Sequence, residues 1–317
     1  MMKAAKTSGT KKAAAKGDLP IAFSLPNGNR IAVIVTLLFE NWRDGQAPNY
    51  SPMTTSLKSG TYDRAGVTWS QYGGNAGIWR LLRILDEFGV KGTVCANARS
   101  VELYPDAARM AVECGHEIAA HNYTQDGLLV YMSPKEQRET IRRCVKIIET
   151  HTGVRPVGWL SSVLASTDET VDQLCQEGFL WYGDCNDWDL PRILRAKNGG
   201  SIVNLPHTDF ADNRVLRQHP QPYLDMHRDT FDFLYKNEPG AVLNLTAHCN
   251  FGGRPLMAAK FADILRYFRS FPDVWFPRHD EMATWFRGLG VDQVSYADRF
   301  FAAAPAPAAR KKSRSSR

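Results

Sequence analysis

The 317 residues, 44% hydrophobic and 23% charged, have the composition of an ordinary soluble globular chain, with enough core for one large α/β domain or two small ones. The formal net charge of +6 misleads, because residues 1–18 carry five lysines against Asp18 and residues 303–317 carry Arg310, Lys311, Lys312, Arg314 and Arg317. These tails hold +4 and +5, leaving −3 for the body, which argues against a basic nucleic-acid-binding face. No apolar run reaches the ~18 residues of a membrane span. The N-terminus lacks an apolar signal core, and the six cysteines are scattered without CxxC spacing. The expectation is a cytoplasmic protein with reduced thiols, no nucleic-acid partner and no membrane partner. Residues 1–18 and 303–317 are expected to be disordered tails around a single domain, 19–302.

The first element in the chain is Arg30-Ile-Ala-Val-Ile-Val-Thr-Leu-Leu-Phe39, a continuous β-branched run that reads as a strand buried on both faces and ends at Glu40-Asn41-Trp42. Residues 43–74 are polar and aperiodic and read as a long functional loop. A helix follows on Trp79, Leu82, Leu85 and Phe88, with Gly89 placed to stop it. Residues 91–96 read as a strand, 106–114 as a helix and 116–121 as a strand. Ser133-Pro134-Lys135-Glu136 is a capping box opening a helix whose Ile141, Cys144, Val145 and Ile148 share a face. Strands are expected at 156–160, 179–184, 202–207, 241–248 and 274–277, and helices at 168–176, 223–236 and 257–271.

Short apolar strands alternating with helices predict a parallel sheet. Glu40, His121, Asp184, His207 and His248 each fall at the C-terminal end of a different strand, and no GxGxxG phosphate loop is present. Barrels gather functional groups from many strand ends at one mouth. The expected fold is therefore α/β, a distorted (β/α)7–8 barrel.

Leu38-Phe39-Glu40-Asn41, Gly115-His116-Glu117-Ile118 with His121-Asn-Tyr-Thr-Gln125, Asp184-Cys-Asn-Asp187-Trp188 and Leu245-Thr-Ala-His248 together resemble the motifs of the polysaccharide deacetylase (NodB-homology, carbohydrate esterase 4) superfamily over roughly residues 30–290. In that pattern Glu40 stands for the base Asp, Asn41 for a metal-binding Asp, Gln125 for a second metal-binding His, and His248 for the catalytic acid. The departures, with residues 72–82, Arg155–Trp159, Asp189–Pro191 and His248–Pro255, are similar to the allantoinase and cyclic-amide hydrolase branch. Asn41 and Asn250 differ from the Glu and Arg common there.

The resemblance implies a hydrolase of carbon–nitrogen bonds other than peptide bonds, often a homo-oligomer, acting on a small polar amide, ureide or acetylated sugar. Glu40 and His248 are the expected catalytic pair. His121, Gln125, Trp42, Trp159, Asp184, Asp187 and Arg254 are the expected substrate contacts, with His207, Tyr72 and Trp188 as further candidates. His116 reads as structural, and Cys249, adjacent to His248 on a strand, points to the opposite face. No cofactor is expected. Zinc or another divalent ion, if bound, would fall to Asn41, His121 and Gln125, a set with one strong ligand and no carboxylate. A metal-dependent sugar N-deacetylase and a non-catalytic carbohydrate- or partner-binding protein are the rival readings.

Overall fold

Because every residue of strand β1 (Ile31–Phe39) is buried, its two faces must serve two different cores. In the computed structural model, which describes residues 24–53, 57–58 and 60–301, they do. Ile31, Val33, Val35, Leu37 and Phe39 face outward into a layer shared with the surrounding helices. Ala32, Ile34 and Leu38 face inward, and the side-chain period of two makes that division automatic.

After β1 the next elements are α1 (Arg64–Tyr72), a π-helical stretch Gly73–Gly77 and α2 (Ile78–Glu87). Then follow β2 (Thr93–Ala96), α3 (Ala98–Leu103), α4 (Pro105–Glu113), β3 (Glu117–Ala120), α5 (Pro134–Thr152), β4 (Gly158–Trp159) and α6 (Asp168–Gln176). The chain continues through β5 (Trp181–Tyr182), β6 (Arg192–Arg195), β7 (Ser201–Asn204), α7 (Gln221–Asn237), β8 (Ala241–His248) and α8 (Pro255–Arg269). It closes with β9 (Val274–Trp275), α9 (His279–Gly288) and α10 (Tyr296–Phe300).

The sheet order is β6-β7-β5-β4-β3-β2-β1-β8, parallel throughout except for the β6–β7 pair. β8 pairs along β1 from Ile31 to Leu38, while β9 takes the Ile31–Ala32 end and β2 the Thr36–Phe39 end. The expected distorted (β/α) barrel forms. It stays open between the edge strands β6 and β8, and Asn244 Nδ2 on β8 reaches Pro206 O, just past β7, at 3.5 Å. Helix α9 fills the base, its Met282, Ala283 and Phe286 packing with Ala32, Ile34 and Val242.

The expected capping box at Ser133/Glu136 is present, and α5 ends at Gly153 in the left-handed region. Part of the segment read as loop 43–74 is instead α1. Its Gly, Thr and Ser residues hide the helical signal, and burial of Val67 and Trp69 with a cap from Asp63 sustains it. Edge strand β6 and helices α3 and α9 are also additions to the expected elements. All six cysteines are free. Among the described residues no helix is long and apolar enough to cross a membrane. The tails expected at 1–18 and 303–317 lie outside the described residues.

Candidate active site

The strand ends meet at one mouth, as their sequence positions predict. A cavity of about 640 Å³ opens there, lined by Glu40, Trp42, His121, Gln125, His207 and His248 among others. Glu40 follows β1 directly and is buried, with Oε1 3.6 Å from His121 Nε2 and 3.8 Å from His248 Nε2. Its Oε2 has no partner within the protein.

His121 leaves β3 with Nδ1 2.6 Å from the Leu160 carbonyl. A carbonyl only accepts, so Nδ1 carries a proton, and Nε2 faces the cavity, where it too has no hydrogen-bond partner. Gln125, whose backbone N–H donates to Asn41 O at 2.8 Å, leaves Oε1 unpartnered in the same space.

His248 ends β8. Asp212 accepts from its backbone N–H at 2.9 Å through one oxygen and from Nδ1 at 2.5 Å through the other. Burial opposes charge on this ring, but Asp212 and Glu40 outweigh burial and lift the pKa to about 9. At neutral pH His248 is therefore an imidazolium with its Nε2–H toward Glu40. Burial, reinforced by His248 and His121, holds His207 down at about 3, so that ring is neutral.

The turn after β8 has backbone tolerances that only glycine meets. A Cβ on Gly252 would stand 2.3 Å from Asp212 Oδ2 and 2.9 Å from Ala247 Cβ. One on Gly77 would stand 1.8 Å from Cys249 O, so the π-helical stretch and the His248 turn touch backbone to backbone.

Several expected contacts fall elsewhere. Trp159 faces the outer layer, fully buried against Phe179, because strand alternation sends Leu160 inward instead. Asp184 is half-buried and accepts from Ser161 N at 2.7 Å, which steadies the turn after β4 rather than lining the cavity. Asp187 is exposed and pairs with Arg192 at 2.6 Å. Arg254 donates to Asn250 O and Trp69 O and lies over the Tyr72 and Trp69 rings, tying the His248 turn to α1. Tyr72 accepts from Arg80 at 2.7 Å, and Trp188 packs on Tyr296 outside the cavity. His116 accepts from Gly92 N at 3.0 Å with its pKa lowered to about 4 by burial, a structural role as expected. Cys249 faces the outer layer, also as expected.

The structure adds Asp212 and Tyr50, neither visible in the sequence pattern. Tyr50 lines the cavity from the 43–63 segment, its ring edge-on to Trp42 at 6.3 Å and to Trp69 at 6.4 Å. Burial, then Glu40 and Asp212, push its pKa up and keep it a phenol.

The expected metal set does not come together. The Asn41 amide donates to Ser100 Oγ at 3.0 Å and does not line the cavity. Among the described residues no group of three or more His, Cys, Asp or Glu is placed to hold a metal ion. A zinc ion would find one imidazole, the Glu40 carboxylate and a neutral amide, a donor set that does not fit its preference for three or four strong ligands.

A polysaccharide deacetylase family profile matches residues 61–179, the stretch holding His121 and Gln125. A crystal structure described as a putative polysaccharide deacetylase from Mycobacterium smegmatis superposes with a TM-score of 0.74 and 26% identity, covering 88% of this chain and 99% of that one. Profile and superposition agree in making the chain similar to the polysaccharide deacetylase superfamily. Members of that superfamily are hydrolases of carbon–nitrogen bonds other than peptide bonds. Within the superfamily, the crystal structure of Puue allantoinase gives a TM-score of 0.76 at 26% identity, covering 89% of this chain and 98% of that one. The peptidoglycan deacetylase of Helicobacter pylori is 22% identical over 249 residues, 67% of this chain and 84% of that protein.

Proposed function

We propose that this protein opens a cyclic amide, ureide or imide, using Glu40 to activate water and no bound metal. The observation that carries this reading is the arrangement around Glu40. A buried carboxylate with a free oxygen faces the His121 imidazole and, on its other side, a charged imidazole donor fixed by Asp212.

Glu40 Oε2 takes a proton from water as the water oxygen bonds to the carbonyl carbon. The carbonyl oxygen becomes an oxyanion, stabilised by the positive His248 ring and the Tyr50 hydroxyl. The C–N bond then breaks, and His248 Nε2 gives its proton to the departing nitrogen, which remains on the opened product. The proton on Glu40 passes to His248 or to solvent, restoring both groups. His121 Nε2 and the Gln125 amide orient the water or accept a substrate N–H. A ring carbonyl flanked by two nitrogens, or an imide, is a better electrophile than an acetamide, which offsets the lack of a Lewis acid.

The test is ring opening of hydantoin, allantoin and succinimide by metal-assayed protein. Activity with essentially no metal per chain, lost in Glu40→Gln and in His248→Ala, supports the reading. Full activity in both variants would sink it. The family profile and the name of the Helicobacter pylori relative favour a second reading, metal-dependent N-deacetylation of a sugar. Release of acetate from chito-oligosaccharides that requires added zinc, with no ring opening, would establish that instead.

A further inference from the structure

The polar groups of the cavity account for one part of a substrate only. Leu38, Leu128, Leu160, Val163 and Leu164 line the same space, so an apolar wall stands beside the polar groups. Two of them sit on backbone that resists them. Val163 has φ 49° and ψ 24°, and Leu164 has φ 57°. Ala165 N donates to Ser162 O at 3.1 Å, closing a reverse turn whose two central residues are both left-handed. That geometry belongs to Gly, Asn and Asp, and a β-branched residue there is strained.

Packing does not explain the choice, since Val163 is 63% exposed. The turn is nevertheless held in fixed register with the catalytic groups. Ser161 N donates to Asp184, and Ser162 Oγ donates to the His121 carbonyl at 3.3 Å. An exposed aliphatic side chain kept at a strained position on the wall of a cavity indicates that it contacts what the cavity binds.

We propose that the Val163–Leu164 turn determines specificity, selecting a cyclic amide whose ring carries an apolar aliphatic or aromatic substituent. This rests on the ring-hydrolase reading above. The polar edge of such a ring meets Glu40, His121 and His248, and its substituent lies on Val163 and Leu164, in contrast to allantoin or a sugar, which is polar all round.

Calorimetric titration of the full chain with hydantoin and 5-benzylhydantoin, beside thermal melts, tests it. Wild type is expected to bind 5-benzylhydantoin at least about tenfold more tightly than hydantoin. Val163→Gly and Val163→Asn are expected to lose most of that preference and to melt about 2–4 °C higher as the strain is released. Equal binding of the two rings by wild type, binding of neither, or a preference kept in both variants overturns the proposal. Variants that melt lower than wild type overturn the strain argument. Preferential binding of 5-benzylhydantoin without opening of either ring counts against the hydrolase reading and leaves the role of the turn supported.

Discussion

Glu40 and Glu117 are both carboxylates buried at inward-facing positions on adjoining parts of one sheet, and their surroundings differ completely. At the floor, Glu117 Oε1 accepts from Trp181 at 2.7 Å, and Oε2 accepts from Thr93 at 2.8 Å and from Asp280 N at 2.9 Å. Thr93 lies 2.9 Å from His279 Nδ1, and the His279 ring reaches Thr36, which donates to Asn244. Every polar atom in that chain of contacts has a partner. At the mouth, Glu40 Oε2, His121 Nε2 and Gln125 Oε1 have none. A buried polar atom left unpaired costs about 1–3 kcal/mol, so the floor is built for stability and the mouth retains a deficit that a ligand can remove.

The largest effect that sharpens this contrast is Glu40→Gln. It should lower kcat by about 10²–10⁴-fold, the usual contribution of a general base, while the melting temperature stays level or rises because a buried charge has gone. Steady-state ring-opening kinetics and a thermal melt check both halves. A large drop in stability would place Glu40 with the floor residues.

Glu117→Ala should do the reverse. It strands the Trp181, Thr93 and Asp280 donors and should cost about 3–5 kcal/mol of stability. Burial, then Asp280, raise the Glu117 pKa to about 7 against its three hydrogen bonds. The carboxyl binds its proton more tightly folded than unfolded. Its contribution is thus full below the ordinary value near 4.5 and lost as pH rises through 7. The gap between wild type and Glu117→Ala should therefore narrow from pH 5 to pH 8 in denaturant titrations.

Much of the mouth was legible in the sequence and little of the floor. Glu40, His121 and His248 could be placed because each closes an apolar run, and a period of two fixes the face. The same alternation, applied to Trp159 and Leu160, sends the tryptophan outward, and its size drew attention that its register does not support. Asp212 and Tyr50 come from segments without periodicity, 210–215 and 43–63, where position is set by tertiary contact alone. Arg254, an expected substrate contact, instead spends its guanidinium on stacking over Tyr72 and on bonds to two carbonyls. The floor network joins residues 36, 93, 117, 244 and 279, which share no motif and meet only when five elements converge.

Asp212→Asn attacks the mouth through its one fully bonded member. The carboxylate accepts from both His248 N and Nδ1, whereas an amide can accept only one and turns an N–H toward the other. The His248 pKa should fall from about 9 toward its ordinary 6.5, and kcat should drop about 10²-fold. The alkaline limb of the pH–rate profile should move down with it. The stability that wild type gains from charged His248 is complete below 6.5 and disappears as pH rises through 9, so this variant should also lose its stability advantage mainly at acid and neutral pH.

Gly252→Ala is the smallest change and the most specific to this coupling. It removes no functional group. It places a methyl where Asp212 Oδ2 now lies, 2.3 Å from the ideal Cβ position, and the carboxylate is the easiest neighbour to displace. Because the same oxygen accepts from His248 N, its movement loosens the pair that holds the imidazolium. A roughly tenfold fall in kcat is expected, with little change in KM and an alkaline limb shifted the same way as in Asp212→Asn but less far. A rate loss without any shift of that limb would mean that the methyl disturbs the turn alone, and that Asp212 does not set the charge on His248.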